Sequence, residues 1–365
     1  LTATYSSNNE QLGPQEKSRY LLQLELELQR LNKNIQLTNK FYNVPIQNAS
    51  TTNSQVIDKT ELILGRIEKH FNKAISASSI NTYLSCPLDF YYRYIAELGE
   101  EKSIEEDIES QQFGSLIHNT LENLYDKHAL LDKLGNEIAP KREALKLSDL
   151  EQMLVDYKVV LYQEFMNYFD QESQLFLEGK NLLSYTIAQD TIENMLNKEI
   201  VFFKKQQAPF YVVQVEAKKE ISMEVLVAGE KKTIHFKGYI DRIDQIGDTY
   251  RVIDYKSGKV KQEDVSFKLK EAGLIFSFNS CKHSVQLALY SLFFKDSFGK
   301  YPDKAIIYAL TDVSKIDYNL NYADHELGEI CQLFESFISE VVNQIFEKEN
   351  PIEHLEEAKY CNYCL

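Results

Sequence analysis

The sequence predicts an α/β protein, with a mixed central sheet flanked by helices and a large helical insertion. Apolar residues recur at helical spacing through the first half, and the second half runs strand, strand, helix, strand, helix. Gly247-Asp248, between two alternating runs, is typical of a two-residue hairpin loop. With 365 residues, 44% of them hydrophobic and 12% aromatic, the chain can bury a large core as one big domain or two smaller ones.

Residues 1–75 are predicted to be a helical segment and linker, a fragment of an upstream domain. Leucines at helical spacing predict a helix over 14–33, an Asn- and Thr-rich linker follows, and a second helix is predicted over 59–71. Because the chain begins with Leu1 rather than methionine, we expect an excised or processed piece of a longer protein.

The main domain is predicted over 76–365, with its helical insertion at about 100–207. Ser78 or Ser79 is predicted to cap its first helix. A later helix carries His118, and a lone helical histidine is more often a packed or exposed bystander than a ligand. Further helices are predicted over 148–172, 174–206, 281–298 and 327–346, and strands over 210–215, 220–227 and 305–310.

The predicted hairpin carries an acidic pair and a lysine on one face. The two-residue loop sets Asp244 opposite Arg251, which are opposite charges, and Asp241 opposite Asp254, which are like charges. Lys256 projects from the same face as Asp254. A solvated hairpin face is the simplest explanation, but a divalent cation between the two acids is favoured because it removes their repulsion.

The net charge of −15 argues against a protein that coats nucleic acid nonspecifically, but it allows a local basic channel. Lys259, Lys261, Lys268 and Lys270 cluster just after the hairpin. From charge alone, a solvated loop and a DNA-contacting loop fit this cluster equally well.

The chain has no apolar run of the roughly 20 residues that a membrane span needs, and no signal-peptide pattern opens it. We therefore expect no membrane partner and a cytoplasmic location. Five cysteines in a chain of this length do not indicate a disulfide scaffold.

Five separated motifs follow one another along the main domain. They are FGSLIH with His118, VEAKKE with Glu216, GYIDRID with Asp241, IDYKSG with Asp254 and Lys256, and QLALY with Gln286 and Tyr290. In this order they resemble the PD-(D/E)XK nuclease superfamily, and in particular the nuclease domain of RecB- and AddB-type helicase–nucleases. The resemblance runs from about Ser76 to Cys364 and departs from the superfamily pattern at Ile240, where proline is expected.

This resemblance implies a restriction-endonuclease-like fold and a metal-dependent deoxyribonuclease. The expected reaction is exonucleolytic phosphodiester hydrolysis in DNA repair and recombination, alongside a helicase domain or subunit. His118, Asp241, Asp254 and the Tyr255 carbonyl would hold Mg²⁺ or Mn²⁺. Lys256 would act on the attacking water or the developing charge.

The resemblance gives the remaining motif residues supporting parts. Glu216 would ligate a second metal or support the first, and Gln286 and Tyr290 would contact the substrate or active site. A catalytically inactive DNA-binding or structural module of the same fold is the alternative. A non-nucleolytic metal protein built around Cys361 and Cys364 would leave the converging acids and lysine unexplained.

The resemblance also implies a [4Fe–4S] cluster. Cys86 matches its first cysteine, and Cys361 and Cys364 match the next two, while a fourth thiolate would fall at about residue 370. The cluster would thus be incomplete within these residues, and a CxxC pair alone is also compatible with zinc. Cys281 and Cys331 lie on predicted helices and are expected to be buried as small apolar side chains.

Overall fold

The computed structural model describes residues 56–98, 108–138, 143–267, 282–312, 317–321 and 325–355, together with Gln23, Glu27 and Lys315. The chain divides into two units, Leu1–Asn53 and Ser54–Leu365, and every element below belongs to the second. The helix predicted over 14–33 falls almost entirely outside the described residues.

The described residues contain a six-stranded mixed sheet whose spatial order follows the chain. Its strands are β1 (Ala129–Leu131), β2 (Phe210–Val227), β3 (Glu230–Ile246), β4 (Thr249–Lys256), β5 (Lys304–Ala309) and β6 (Asp317–Asn319). Strands β1 and β2 are parallel, as are β4 and β5, and the other neighbours are antiparallel. The predicted α/β class with a mixed, helix-flanked sheet is confirmed.

Helices cover both faces of this sheet. They are α1 (Glu61–Phe71), α2 (Ala77–Ser85), α3 (Pro87–Phe90), α4 (Ser110–Tyr125), α5 (Leu147–Tyr168), α6 (Gln174–Leu177), α7 (Gly179–Lys204), α8 (Lys282–Phe298) and α9 (Leu327–Phe346). Side chains alternate across the strands, so Ile243 and Val252 enter the core with α1, α2, α8 and α9, whereas Ile253 and Tyr308 enter the core with α4, α5 and α7. None of the described helices is both long enough and apolar enough to span a bilayer.

The first helices begin where their apolar faces require. Thr60 caps α1, because its hydroxyl accepts a hydrogen bond from the Ile63 amide. The prediction that Ser78 or Ser79 caps α2 is wrong, because the N-cap residue is Ser76. Helix α2 starts earlier because Ala77 is already part of its buried face.

The helical insertion is more broken than its periodicity predicts. Helix α5 ends at Tyr168, because Asp170 and Gln171 adopt left-handed backbone with φ of 48° and 72°. The segment predicted as one helix over 174–206 contains α6 and α7, which are separated at the extended Glu178. These breaks fold the insertion back on itself, so that α5 and α7 pack against each other around Leu161 and Leu196.

Strand β2 is one continuous strand of 18 residues, where the sequence predicts two shorter ones. It pairs with β3 along its length, with a register shift between Val212 and Gln214. This pairing carries the strand through the charged residues Lys218–Glu220, which interrupt the apolar pattern. The edge strands β1 and β6 are three residues each, too short for a recognisable alternation.

A buried charge cluster joins the insertion to the sheet. Arg242 Nη2 donates to Glu199 Oε1 on α7 at 2.9 Å, and Arg251 Nη2 donates to Asp244 Oδ2 at 2.6 Å. Arg242 Nε lies 3.1 Å from Asp244 Oδ1, which links the two pairs. Two guanidinium groups and two carboxylates balance, so the core holds four ionised side chains without net charge. The predicted cross-strand pairing of Asp244 with Arg251 is confirmed.

Candidate metal centre

The candidate site lies where β3 and β4 reach the end of their pairing. The predicted hairpin register is confirmed down to the pair formed by Arg242 and Ile253. One residue beyond it, Asp241 and Asp254 share the opposite face of the sheet, and Lys256 lies on that face too. The like charges therefore meet at this end of the sheet, where Gln286 on α8 contacts Asp254 and His118 on α4 contacts Asp241.

Three potential ligands come together from three elements. His118 on α4, Glu216 on β2 and Asp241 on β3 each offer one ligand atom, and these atoms lie within 4.8 Å of one another. His118 Nδ1 is 3.4 Å from Asp241 Oδ2, and His118 Nε2 is 3.0 Å from the Tyr255 carbonyl oxygen. Asp241 Oδ2 also accepts a hydrogen bond from the Tyr255 amide at 2.6 Å. The histidine is thus fixed between a carbonyl and a carboxylate.

Glu216 occupies an unusual backbone conformation. Its φ is 47°, in the left-handed region, although it lies inside β2 between the paired residues Val215 and Ala217. A non-glycine residue in this region is strained, and such strain is concentrated at functional sites. The departure from regular strand geometry redirects the Glu216 side chain, which joins His118 and Asp241.

Asp254 is held by polar side chains on its other flank. Lys256 Nζ lies 2.6 Å from its Oδ2, and Gln286 Nε2 donates to its Oδ1 at 2.7 Å. Gln286 Nε2 also lies 2.7 Å from the Tyr290 hydroxyl oxygen, which accepts from it. Since Gln286 and Tyr290 are one turn apart on α8, that helix orients the carboxylate from one face.

Burial and like charge oppose ionisation of the acids. Burial raises the pKa of Asp241 well above its usual value, and the neighbouring Asp254 raises it further. Burial, followed by the charge of Asp241, raises the pKa of Glu216 to about 7. The surroundings therefore disfavour the ionised form of these carboxylates. A bound cation would stabilise the ionised form.

The pKa values of the two basic groups, His118 and Lys256, shift in opposite directions. Burial lowers the pKa of His118, and the charge of Asp254 only partly offsets this, so the imidazole is neutral and able to offer a lone pair. Burial also lowers the pKa of Lys256, but Asp254 and Asp241 outweigh it and the net shift is upward. Lys256 consequently carries its proton at neutral pH.

The donor set fits a small divalent cation. Ligands about 2.1 Å from Mg²⁺ lie about 3.0 Å apart when adjacent and about 4.2 Å apart when opposite. The 3.4 Å separation of His118 Nδ1 and Asp241 Oδ2 falls within this span. With Nε2 donating to Tyr255, Nδ1 turns its lone pair toward the carboxylate. Two lone-pair-bearing atoms that face each other are suited to share a cation.

His283 is a neighbour of the site that none of the five motifs indicates. It is 8% exposed on α8, and burial followed by the charge of Lys256 lowers its pKa to about 4. The available signal is its position three residues before Gln286, on the same helix face. Close packing was also missed at Gly114, where a Cβ would lie 3.2 Å from the Ser257 hydroxyl oxygen.

The predicted cysteine site is described only at its first member. Cys86 is fully buried, and its Sγ lies 3.4 Å from His354 Nδ1. Cys361 and Cys364 lie outside the described residues. The last described segment of the chain, which ends at Leu355, does lie against Cys86. Ile352 packs with Cys86 and Leu88 in one small apolar cluster. Cys331 is buried, as expected of a small apolar side chain.

The predicted DNA-contacting lysines are described in part. Lys259 and Lys261 are exposed in the segment that follows β4. Lys268 and Lys270 lie outside the described residues.

The fold and the site together define an α/β protein that gathers carboxylates, a histidine and a lysine at one end of a mixed sheet. The sequence model of the PD-(D/E)XK nuclease superfamily matches residues 74–365. The chain belongs to the PD-(D/E)XK nuclease superfamily.

One curated relative is a subunit of the ATP-dependent helicase/deoxyribonuclease of Carboxydothermus hydrogenoformans, 29% identical over 209 residues. The match covers 52% of this chain and 16% of that relative, so the chain corresponds to a small part of the relative's length. Among solved structures, the crystal structure of SSO0001 aligns with 61% of this chain and 84% of its own, at 18% identity and a TM-score of 0.20. A TM-score this low does not establish a shared fold.

Proposed function

We propose that this chain is a metal-dependent deoxyribonuclease that hydrolyses phosphodiester bonds exonucleolytically, as the nuclease part of a helicase–nuclease in DNA repair and recombination. The observation that supports it best is the cluster of ligand atoms from His118, Glu216 and Asp241, beside which Asp254 pairs with Lys256. Hydrolysis of a phosphodiester requires a site that neutralises phosphate charge and activates water, and this set contains the groups for both tasks.

Mg²⁺ or Mn²⁺ is the proposed cofactor, held by Asp241, His118 and Asp254 with the Tyr255 carbonyl, and supported by Glu216. When bound, such an ion neutralises phosphate charge and lowers the pKa of a coordinated water. Carboxylate and carbonyl oxygens are the ligands these ions prefer, which agrees with the composition of the site.

Lys256 is proposed to orient the attacking water and stabilise the developing negative charge. Its raised pKa keeps it protonated, which favours an electrostatic part over proton abstraction. Asp254 anchors the ammonium group at 2.6 Å, and Gln286 fixes Asp254 in turn. Gln286 and Tyr290 therefore act as positioning residues, with the Tyr290 hydroxyl completing the chain of hydrogen bonds.

DNA is the proposed substrate, and a helicase domain or subunit is the proposed partner. The relative described above is named as a subunit of a helicase and deoxyribonuclease, which supports both. Exposed Lys259 and Lys261 follow directly from the strand that carries Lys256, so they are suited to meet the DNA backbone, together with Lys268 and Lys270.

A [4Fe–4S] cluster is proposed for a chain that also carries a fourth cysteine near position 370, with Cys86, Cys361 and Cys364 among its ligands. The return of the chain to Cys86 at Ile352 and His354 supports this, because the two later cysteines follow shortly after. A protein that also carries a fourth cysteine should be brown when purified without oxygen. Colourless protein from such a chain would leave the CxxC pair as a zinc site.

The activity is tested with DNA strands labelled at the 5′ or the 3′ end, incubated with Mg²⁺ and with EDTA. We expect metal-dependent shortening of the strands and none in EDTA. The polarity follows from which label is released first, and internal fragments would show endonucleolytic cleavage instead. Full-length strands with Mg²⁺ and with Mn²⁺ would assign the chain to the inactive modules of this fold.

A further inference from the structure

A basic pocket of about 240 Å³, lined by none of the motif residues, lies between α1 and the π-helix Tyr91–Ile95. We call it the α1 pocket. It is lined by Arg66, Lys69, His70, Lys73, Tyr94, Ile95, Ala96 and Glu97. Three of these residues are permanent cations and one is an acid, in a protein whose net charge is −15. This local sign reversal indicates a site for an anion.

The cations of the α1 pocket have no ion-pair partners among the described residues. The acids of the same helix are used elsewhere, because Glu61 pairs with Lys348 at 2.6 Å and Glu68 pairs with Lys232 at 2.9 Å. Arg66, Lys69 and Lys73 are exposed and form no such pair within the described part of the chain. The two acids of α1 are thus neutralised by other elements, whereas Arg66, Lys69 and Lys73, which follows the helix, remain available to an anion.

The floor of the α1 pocket is rigid and aromatic. The His70 ring contacts Tyr94, Phe90 and Phe71, with centroid distances of 5.5, 5.8 and 5.4 Å. His70 Nε2 is 3.2 Å from the Ser79 hydroxyl, which fixes the ring further. Burial, followed by the charge of Lys73, lowers the pKa of His70. The ring is therefore neutral, and the positive charge belongs to the three flexible side chains above it.

We propose that the α1 pocket binds the phosphate backbone of a DNA strand at a second position, separate from the metal centre. Three neighbouring exposed cations can contact the phosphates of one strand, and the part-buried Tyr94 ring offers a face on which a base or sugar can rest. None of the lining residues belongs to the motifs that build the metal centre. The proposal rests on the proposed function, since it presumes a DNA substrate.

Binding is measured by fluorescence anisotropy of a labelled 20-nucleotide oligodeoxythymidylate, in EDTA so that no cleavage occurs. The test variant is Arg66→Gln, Lys69→Gln, Lys73→Gln, and the control is Lys158→Gln, Lys204→Gln, Lys205→Gln, which removes three exposed charges from the helical insertion. We expect the test variant to bind roughly 10-fold more weakly at low salt. The slope of log affinity against log salt concentration should be shallower by about 2, because each of the three lost phosphate contacts contributes ~0.7 to it.

Cleavage separates this inference from the proposed function. In the test variant, kcat on the 20-nucleotide substrate and cleavage of a four-nucleotide substrate should match the wild type, while KM on the longer strand rises. If the wild type and both variants cleave neither substrate, the nuclease proposal is contradicted. The binding measurement in EDTA then still decides whether the α1 pocket binds DNA. Equal affinity of test and control variants would overturn the pocket proposal. Displacement of the oligonucleotide by polyglutamate as effectively as by unlabelled DNA would overturn it too, by assigning the pocket to an acidic protein segment.

Discussion

Lys256 and Asp254 have different roles in the candidate site. The Asp254 carboxylate is 1% exposed, with Lys256 Nζ 2.6 Å from one oxygen and Gln286 Nε2 2.7 Å from the other. The lysine side chain remains 27% exposed, so it is accessible from solvent while its ammonium group is paired with Asp254. One residue is thus a fixed anchor and the other a cation positioned by it.

Replacing Lys256 with alanine should lower the cleavage rate roughly 10²–10³-fold, the usual loss when one preorganised charge-stabilising group is removed. Binding of Mn²⁺, measured by calorimetry, should stay near wild type, because the lysine does not ligate the ion. Asp241→Asn is the matched comparison and should lose Mn²⁺ binding. Cleavage by Lys256→Ala at the wild-type rate would contradict the role proposed for the lysine.

Glu216 should make the metal-free protein less stable as pH rises. Its pKa is about 7 in the folded state and 4.5 in the reference state. The folded state therefore holds a proton that the unfolded state has lost, and the free energy of unfolding falls between about pH 4.5 and 7. The shift corresponds to about 3 kcal/mol at 1.36 kcal/mol per pKa unit.

The measurement is thermal unfolding in EDTA at pH 5.5 and pH 8, repeated with Mg²⁺. We expect a lower Tm at pH 8 in EDTA, and a larger rise on adding Mg²⁺ at pH 8 than at pH 5.5, because protons and metal compete for the same carboxylates. Glu216→Gln should reduce this pH dependence, and the part that remains belongs to Asp241, whose pKa is also raised by burial. A Tm in EDTA that rises from pH 5.5 to pH 8 would contradict the raised pKa of Glu216.

At the scale of elements, the insertion is joined to the sheet by charge as well as by apolar contact. Helix α7 supplies Glu199, and strands β3 and β4 supply Arg242, Asp244 and Arg251. These residues lie on the sheet face opposite Asp241 and Asp254. Aromatic rings surround the guanidinium groups, with Tyr125 centred 4.4 Å from Arg242 Cζ. The cluster therefore holds β3 and β4 against α7 on the sheet face opposite Asp241 and Asp254.

Glu199→Gln should destabilise the protein by about 3–5 kcal/mol, because it leaves two buried guanidinium groups against one carboxylate. Urea unfolding measures the loss. The double variant Glu199→Met, Arg242→Met should be less damaging than the single one, since it restores the charge balance with Asp244 and Arg251. A single variant as stable as the wild type would show that the cluster is not ionised as described.

At the scale of the whole molecule, backbone hydrogen bonds join the beginning of the unit Ser54–Leu365 to a segment near its end. Ile57 and Ile352 exchange backbone hydrogen bonds of 2.9 Å in both directions. Lys59 Nζ donates to the carbonyl oxygens of Gln344 and Glu347 at the end of α9. Ile352 then packs with Cys86, so this contact also fixes the chain as it approaches the predicted cluster cysteines.

Ile352→Asp should lower the free energy of unfolding by about 3 kcal/mol, because it places an unpaired charge at a position that is 4% exposed. Ile352→Val is the matched control and should cost about 0.5–1.5 kcal/mol. Both are measured by urea unfolding followed by circular dichroism. Equal stability of the two variants would show that this end contact contributes little.

Several features were predictable because their physical cause is local. Gly247-Asp248 fixes a two-residue loop, and the loop fixes by arithmetic which residues face each other across the hairpin. The bounds of α9 follow from uninterrupted apolar periodicity, and they agree with the predicted range 327–346. The loop and the period-2 alternation of the strands are also enough to predict Asp241, Asp254 and Lys256 on one face.

Other features depended on contacts between segments far apart in sequence. The left-handed backbone of Glu216 exists because β2 must stay paired with β3 while its carboxylate turns toward His118, which lies 98 residues earlier. Spacing from Gln286 is the one local signal for His283, and its burial and the unpaired cations of the α1 pocket within the described residues are properties of packing. The sequence by itself determined the strand register, the helix periodicities and the chemistry of the motif residues. Tertiary structure decided which charges are neutralised and which remain available, because only the complete fold sets the distance and the burial of each partner.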